Sequence, residues 1–221
     1  MSAAPETRCL VVVGGVQGLA ALRDDDLDFG AYGCVICGDS GQDVARELGL
    51  APDVFIGDFD SSTRPVGTAA EVIVLPTVKD LTDSEAAVDL AYARGFRVID
   101  VIGGLGGRLD HTLGNLGILA KYQATDARLR WIDGYNMVSL VGPGTYTVAR
   151  NSYHYFGLIP FDGDVVGLTV AGTRYVVSDF TLLQGSTRGV SNEIVGDAAT
   201  VSFTGGRLLM VSSRDLDVSL Q

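Results

Sequence analysis

Residues 97–111 read Arg97-Val98-Ile99-Asp100-Val101-Ile102-Gly103-Gly104-Leu105-Gly106-Gly107-Arg108-Leu109-Asp110-His111. The first six, rich in branched apolar side chains, form a strand pattern. Four glycines come next. From His111 to Tyr122, Leu113, Leu116, Leu119 and Ala120 then recur at helical spacing. Strand, glycine-rich turn and helix make the repeating unit of a mostly parallel α/β sheet. The same unit recurs upstream. The apolar run 9–13 stops at Gly14-Gly15, and 34–37 is a second short strand before a polar helix candidate at 42–48. Residues 53–56 and 72–75 are further short strands. The clearest helix is 82–94: Thr82 and Glu85 form a T-x-x-E capping box, Ala86, Ala87, Leu90, Ala91 and Ala93 follow at helical spacing, and Gly95 stops it. In such sheets ligands sit beyond the carboxyl ends of the strands.

After about Arg128 no helix pattern returns. Short β-rich runs recur at 129–132, 137–141, 146–149, 153–159, 165–170, 175–177, 199–203 and 208–212, separated by turn residues such as Gly142-Pro143-Gly144 and Asp162-Gly163-Asp164. This spacing predicts an all-β sandwich or barrel. The change of character falls near 142–147. The expected organisation is an α/β N-terminal domain with a mostly parallel sheet over 1–143 and a β-sandwich C-terminal domain over 144–221.

A chain of 221 residues has room for one to two domains. Hydrophobic residues make up 47% and charged ones 19%, which excludes intrinsic disorder. With 27 Asp and Glu against 16 Lys and Arg, the net charge is −11. That argues against a nucleic-acid binder and against a polybasic membrane-surface protein. An anionic ligand stays admissible where a metal ion stands between it and the protein. Three cysteines do not make a disulfide framework. Cys34 and Cys37 are expected in a buried strand, with no redox role. The uncharged stretch 9–22 is 14 residues broken by glycines, too short to span a membrane. There is no basic leader pattern, so a cytoplasmic protein is expected.

Acidic residues gather where strands end. Asp39 follows the second strand, and Gly57-Asp58-Phe59-Asp60-Ser61 follows the third. In extended chain Asp58 and Asp60 point to one side. Such a pair suits either a solvated turn or a Mg2+ ion, which takes one or two carboxylates plus water and phosphate oxygens. Lys79-Asp80-Leu81-Thr82-Asp83-Ser84-Glu85 fits helix capping. It fits equally a lysine meeting a phosphate while acids hold its metal, and only one other lysine, Lys121, occurs in the chain. In the opening stretch the glycines allow close backbone approach to a ligand, Arg108 is a multidentate phosphate donor, and Asp110 is placed as helix N-cap. Neither the P-loop nor the dinucleotide fingerprint is present. Taken together, the three loops indicate Mg2+-dependent chemistry on a polyphosphate.

These loops, in their order, resemble the thiamine pyrophosphokinase family. The resemblance rests on Gly57-Asp58-Phe59-Asp60-Ser61, on Lys79-Asp80 with Thr82-Asp83, and on Gly103-Gly104 with Gly106-Gly107-Arg108, Asp110-His111 and Asn115. It continues in Tyr155-Phe156-Gly157-Leu158-Ile159-Pro160 and Gly189-Val190-Ser191-Asn192-Glu193. It implies an α/β catalytic domain, a β-sandwich that binds thiamine, a homodimer, and transfer of pyrophosphate from ATP to the thiamine hydroxyl with release of AMP. It implies Asp58, Asp60 and Asp83 as Mg2+ and phosphate-site acids. Asp39, Lys79, Asp80, Thr82, Arg108, Asp110, His111 and Asn115 would line the ATP site. Ser191 and Asn192 would hold the thiamine pyrimidine, with Tyr175 stacking on it; a strand tyrosine packed on the sheet is the alternative for Tyr175. Trp131 is expected in the core. Asp60 or Asp83 would orient or deprotonate the hydroxyl. The family commonly has Asp-Gly-Gly where this chain has Asp39-Ser40-Gly41. Competing expectations are a pyrophosphokinase for another hydroxymethyl heterocycle such as a pterin, a non-catalytic thiamine diphosphate-binding protein, and a Mg2+-dependent phosphatase.

Overall fold

A computed structural model of the chain describes residues 8–22, 27–38, 41–58 and 71–215. They form two compact units. The first holds the described residues of 8–19 and 28–134, the second those of 20–27 and 135–215.

In the first unit six parallel strands make one sheet: β1 (Arg8–Val12), β2 (Cys34–Gly38), β3 (Val54–Gly57), β4 (Glu71–Val74), β5 (Val98–Ile102) and β6 (Arg128–Ile132). Their order is β4-β3-β2-β1-β5-β6. The chain winds outward from β1 to β4 and then returns to the far side of β1 to lay down β5. The sheet order therefore reverses between β1 and β5, which places the ligand crevice of a doubly wound fold at their carboxyl ends. Central parallel strands are covered on both faces and read as continuous apolar runs. Cys9, Leu10, Val11 and Val12 of β1 accordingly have no exposed surface.

Helices α1 (Gly41–Glu47), α2 (Asp83–Ala93) and α3 (Leu109–Gln123) complete this unit. Thr82 caps α2 as expected, its Oγ1 accepting from the Glu85 amide at 3.2 Å. Glu85 does not reach back to complete the box. Its carboxylate takes Lys121 Nζ at 2.8 Å instead and ties α2 to α3. Helix α3 starts at Leu109, two residues before the expected His111. Its N-cap is Arg108, with no side-chain cap, so Asp110 is in the first turn and not at the cap. The three cysteines are free and buried, and burial pushes the Cys37 thiol up to about 12, out of reach of redox chemistry at neutral pH.

One polar group lies deep in this unit. Asp100 on β5 is fully buried. It accepts from Arg130 on β6 at 2.6 and 2.8 Å and from the Tyr32 hydroxyl at 2.6 Å. Burial first, and then the Asp100 charge, push the Tyr32 pKa up, so it stays a donor.

The second unit is antiparallel. Strands β7 (Asn136–Val141), β8 (Gly144–Ala149), β9 (Tyr155–Pro160), β10 (Val165–Ala171), β11 (Val177–Leu182), β12 (Ala198–Phe203) and β13 (Leu208–Ser213) form two layers, β7-β13-β9 and β11-β10-β12-β8. Phe156, Leu158, Val165, Leu168, Val170, Leu182, Val201, Phe203 and Leu208 fill the space between them. This is the expected sandwich. Strand β7 pairs with β13, so the two units part at Gly134 and Tyr135, whereas the sequence pattern changes near 142–147. Strand β11 lies at Val177–Leu182, beyond the 175–177 of the sequence pattern. Its Ser178, Asp179 and Thr181 hide the apolar alternation, Asp179 sits at φ 47, and the register against β10 shifts. Among the described residues no helix is long and apolar enough to cross a membrane.

Removing the Asp100 carboxylate takes the buried acceptor from both Arg130 and the Tyr32 hydroxyl. Asp100→Ala is expected to lower stability by about 3 kcal/mol or more, read as a fall in the urea midpoint.

Candidate functional site

At the β1/β5 reversal a cavity of about 450 Å³ opens. Its walls are the β1 loop, Val13-Gly14-Gly15, and the β5 loop with Gly104, Gly106 and Gly107. The start of α2 adds Thr82, Asp83 and Ser84, and α3 adds His111 and Asn115, with Arg108 at its cap. The two loops are joined: the Gly104 amide donates to Gly14 O at 2.9 Å. Gly104 sits at φ +74, and a Cβ there would lie 2.4 Å from Asn115 Nδ2. A Cβ on Gly106 would lie 2.2 Å from Gln17 Cγ. At Gly104 the positive φ and its buried neighbours exclude a side chain, whereas at Gly106 one would have to displace the exposed Gln17 side chain.

Beyond Gly104 the backbone donors lose their partners. Among the described residues the amides of Leu105, Gly106, Gly107 and Arg108 donate to no protein group. The uncapped amino end of α3 comes directly after them. A run of free amides backed by a helix dipole is an anion-binding concavity.

Beside it lies an ion cluster. Lys79 Nζ is 2.8 Å from Asp58 Oδ2 and 3.1 Å from Asp83 Oδ1. Asp58 comes from the end of β3 and Asp83 from the start of α2. Burial alone would lower the Lys79 pKa, but hydrogen bonds and charge from both aspartates outweigh it and hold the ammonium charged. Two carboxylates around one cation leave a net negative charge in a weakly solvated spot. Among the described residues no group of three or more His, Cys, Asp or Glu gathers as a metal site. The two carboxylates still fit Mg2+, which needs no more from a protein when phosphate and water fill its shell.

The other expected site residues are spread over both units. Asp39 and Asp60 lie outside the described residues. Asp80 is exposed. Arg108 and Asp110 form an exposed pair at the rim, 2.6 Å apart, and Arg108 holds the Asp110 carboxyl below the usual range. His111 is exposed on the cavity wall, and buried Asn115 donates to Gly104 O at 2.8 Å. In the second unit Tyr175 and Asn192 line a cavity of about 510 Å³ with an apolar floor that includes Leu158, Leu168 and Phe180. Asn192 is buried. Its Oδ1 accepts from the Tyr175 amide at 2.9 Å and its Nδ2 donates to Tyr175 O at 2.7 Å, fixing that backbone. Ser191 sits at φ +60, a conformation few non-glycine residues adopt. The sequence reading missed the wall formed by Val13, Gly14 and Gly15, and Ser84 with it. The signal was Gly14-Gly15, directly after the first apolar run.

Fold and site define an α/β protein with an anion cleft at its sheet reversal, followed in sequence by a β-sandwich. The family model of the thiamin pyrophosphokinase catalytic domain matches residues 30–131, and that of the thiamin pyrophosphokinase vitamin B1 binding domain matches 145–208. A thiamine pyrophosphokinase from Bacillus subtilis is 35% identical over 183 residues, covering 80% of this chain and 86% of the relative. The crystal structure of thiamine pyrophosphokinase from Bacillus subtilis superposes with a TM-score of 0.81 at 31% identity, covering 95% of this chain and all of that one. The crystal structure of the Geobacillus thermodenitrificans protein also gives 0.81, at 33% identity, covering 95% and 99%. The chain belongs to the thiamine pyrophosphokinase family.

The cluster can be tested apart from any reaction. In Lys79→Ala the two carboxylates lose the ammonium that pairs with both of them. One of them is expected to protonate at a pH at least about one unit higher than in the native chain, read by carbon NMR of the carboxyl groups.

Proposed function

We propose that this chain transfers the pyrophosphoryl group of ATP to the hydroxyl of thiamine, releasing AMP and thiamine diphosphate. The observation that carries the reading is the row of amides at 105–108, free among the described residues, beside the Asp58, Lys79 and Asp83 cluster, in a chain that matches both family models. The first unit holds ATP and the second holds thiamine. Asp58 and Asp83, with Asp60, hold Mg2+. When bound, that ion neutralises phosphate charge.

The chain's own groups do the rest. The free amides cradle phosphate oxygens, and Lys79 supplies a fixed positive charge next to them. Arg108 leaves Asp110 for a phosphate, an exchange of one exposed partner for another. The thiamine oxygen attacks the β-phosphorus. Its O–H proton passes to Asp60 or Asp83, the new O–P bond forms, and the bond between the β-phosphorus and the bridging oxygen breaks with AMP leaving. In the second unit the exposed ring of Tyr175 offers its face to thiamine, on a backbone fixed by Asn192. Ser191, next to Asn192 in the chain, is assigned to the thiamine pyrimidine in the same proposal. A homodimer and a cytoplasmic location belong to the same proposal.

The test is AMP release from ATP and Mg2+ with thiamine, with a hydroxymethyl pterin, or with no acceptor. AMP is expected with thiamine alone. AMP with the pterin would redirect the substrate assignment, and inorganic phosphate without acceptor would make the chain a phosphatase. Asp83→Asn is expected to lower kcat at least about 100-fold while the protein stays folded, read in the same assay beside a thermal melt. Chelating divalent metal is expected to collapse ATP binding measured by calorimetry, because the site's carboxylates then repel the bare triphosphate.

A further inference from the structure

We propose that Asn115 and Trp131 are positioning residues that seat Gly104 and thereby aim the amides of 105–108 at the cleft; this rests on the reading of that cleft as the ATP site. Asn115 is 4% exposed and sits on α3, eleven residues past the loop it holds. Its Nδ2 donates to Gly104 O at 2.8 Å, while the Gly104 amide donates to Gly14 O at 2.9 Å. Both polar backbone atoms of Gly104 therefore have fixed partners, and the next four amides have none among the described residues. In a trans peptide the carbonyl of one residue and the amide of the next point opposite ways. Pinning Gly104 O to Asn115 fixes the plane of the peptide from which the loop continues to Gly106, Gly107 and Arg108 on the cavity wall.

Trp131 supplies the floor. It is fully buried, and its Nε1 has no acceptor among the described residues. That nitrogen would lie 3.0 Å from a Cβ at Gly104, so the indole stands directly under the loop. A buried donor without an acceptor is unfavourable. The width of the ring under Gly104 accounts for its presence: it stops the loop from sinking into the sheet and closing the cleft. Asn115 pulls the loop down and Trp131 limits how far it goes. Together they fix one height and one orientation.

Trp131 is the only tryptophan of the chain, so emission excited at wavelengths beyond tyrosine absorption reports on the seat alone. The experiment compares the native chain with Asn115→Ala, folding being checked by far-UV circular dichroism. Without its anchor the loop lifts and water reaches the indole. The ligand-free variant is expected to show red-shifted emission and stronger acrylamide quenching, and to bind MgATP about tenfold more weakly with thiamine affinity unchanged. Native emission in the variant, with or without weakened MgATP binding, overturns the seating role; in the weakened case Asn115 is a direct nucleotide contact. Asn115→Asp, equal in size but lacking the donor, carries the same comparison if the alanine variant does not fold. A native chain that binds no MgATP overturns the ATP reading instead, and the ligand-free emission still decides whether Asn115 seats the loop.

Discussion

The contact on which this structure depends is the backbone-to-backbone approach of two strand ends. At the reversal of the parallel sheet the Gly104 amide meets Gly14 O at 2.9 Å, and a Cβ on Gly103 would lie 2.3 Å from Val13 O. No side chain fits between these loops. The sheet order brings β1 and β5 together although they lie some ninety residues apart in the chain, and the glycines let their loops close to hydrogen-bonding distance. That closure leaves a loop with its base sewn down and its upper amides unengaged among the described residues. The anion cleft is the remainder of a packing problem solved by small residues.

Charge is arranged around that cleft with similar consequence. The chain carries −11 overall, yet the first unit keeps Lys79 charged between Asp58 and Asp83. That cluster is mostly shielded from water, so each charge acts at short range with little screening. Arg108 stands in a different regime. Its pairing with Asp110 is exposed on both sides and of the kind that adds little to stability. A weak partner at the rim is easily exchanged for a phosphate, whereas a strong one would have to be broken. Asp100 and Arg130 lie within the sheet, and their pairing holds β5 and β6 in place.

Much of this is legible in the sequence because it is local. The T-x-x-E pattern locates α2, and the four glycines after 97–102 locate the cleft, since both rules act over a few residues. Non-local features are hidden. Nothing near Asn136–Val141 reveals that its partner is β13, about seventy residues on, and the units therefore divide earlier than the composition suggests. The polar and left-handed residues of β11 obscure a strand that exists because β10 offers it an edge. Residue type alone places Asp110 at the cap, but Gly107 at φ +75 turns the chain into α3 early enough for Arg108 to take that position. The gathering of Lys79 with Asp58 is predicted in kind through the family resemblance. Its geometry depends on how β3 and α2 meet, which no spacing in the chain encodes. The roles of Asn115 and Asn192, each holding a loop backbone, are visible only once their partners are known.

We propose that polyphosphate is held by the backbone of the β5 loop. Amide NMR of the full chain titrated with MgATP tests it most directly. The amides of 105–108 are expected to move downfield and become protected from exchange, with those lining the Tyr175 cavity unaffected until thiamine is added. Amides of 105–108 that stay unperturbed while MgATP binds elsewhere would contradict it.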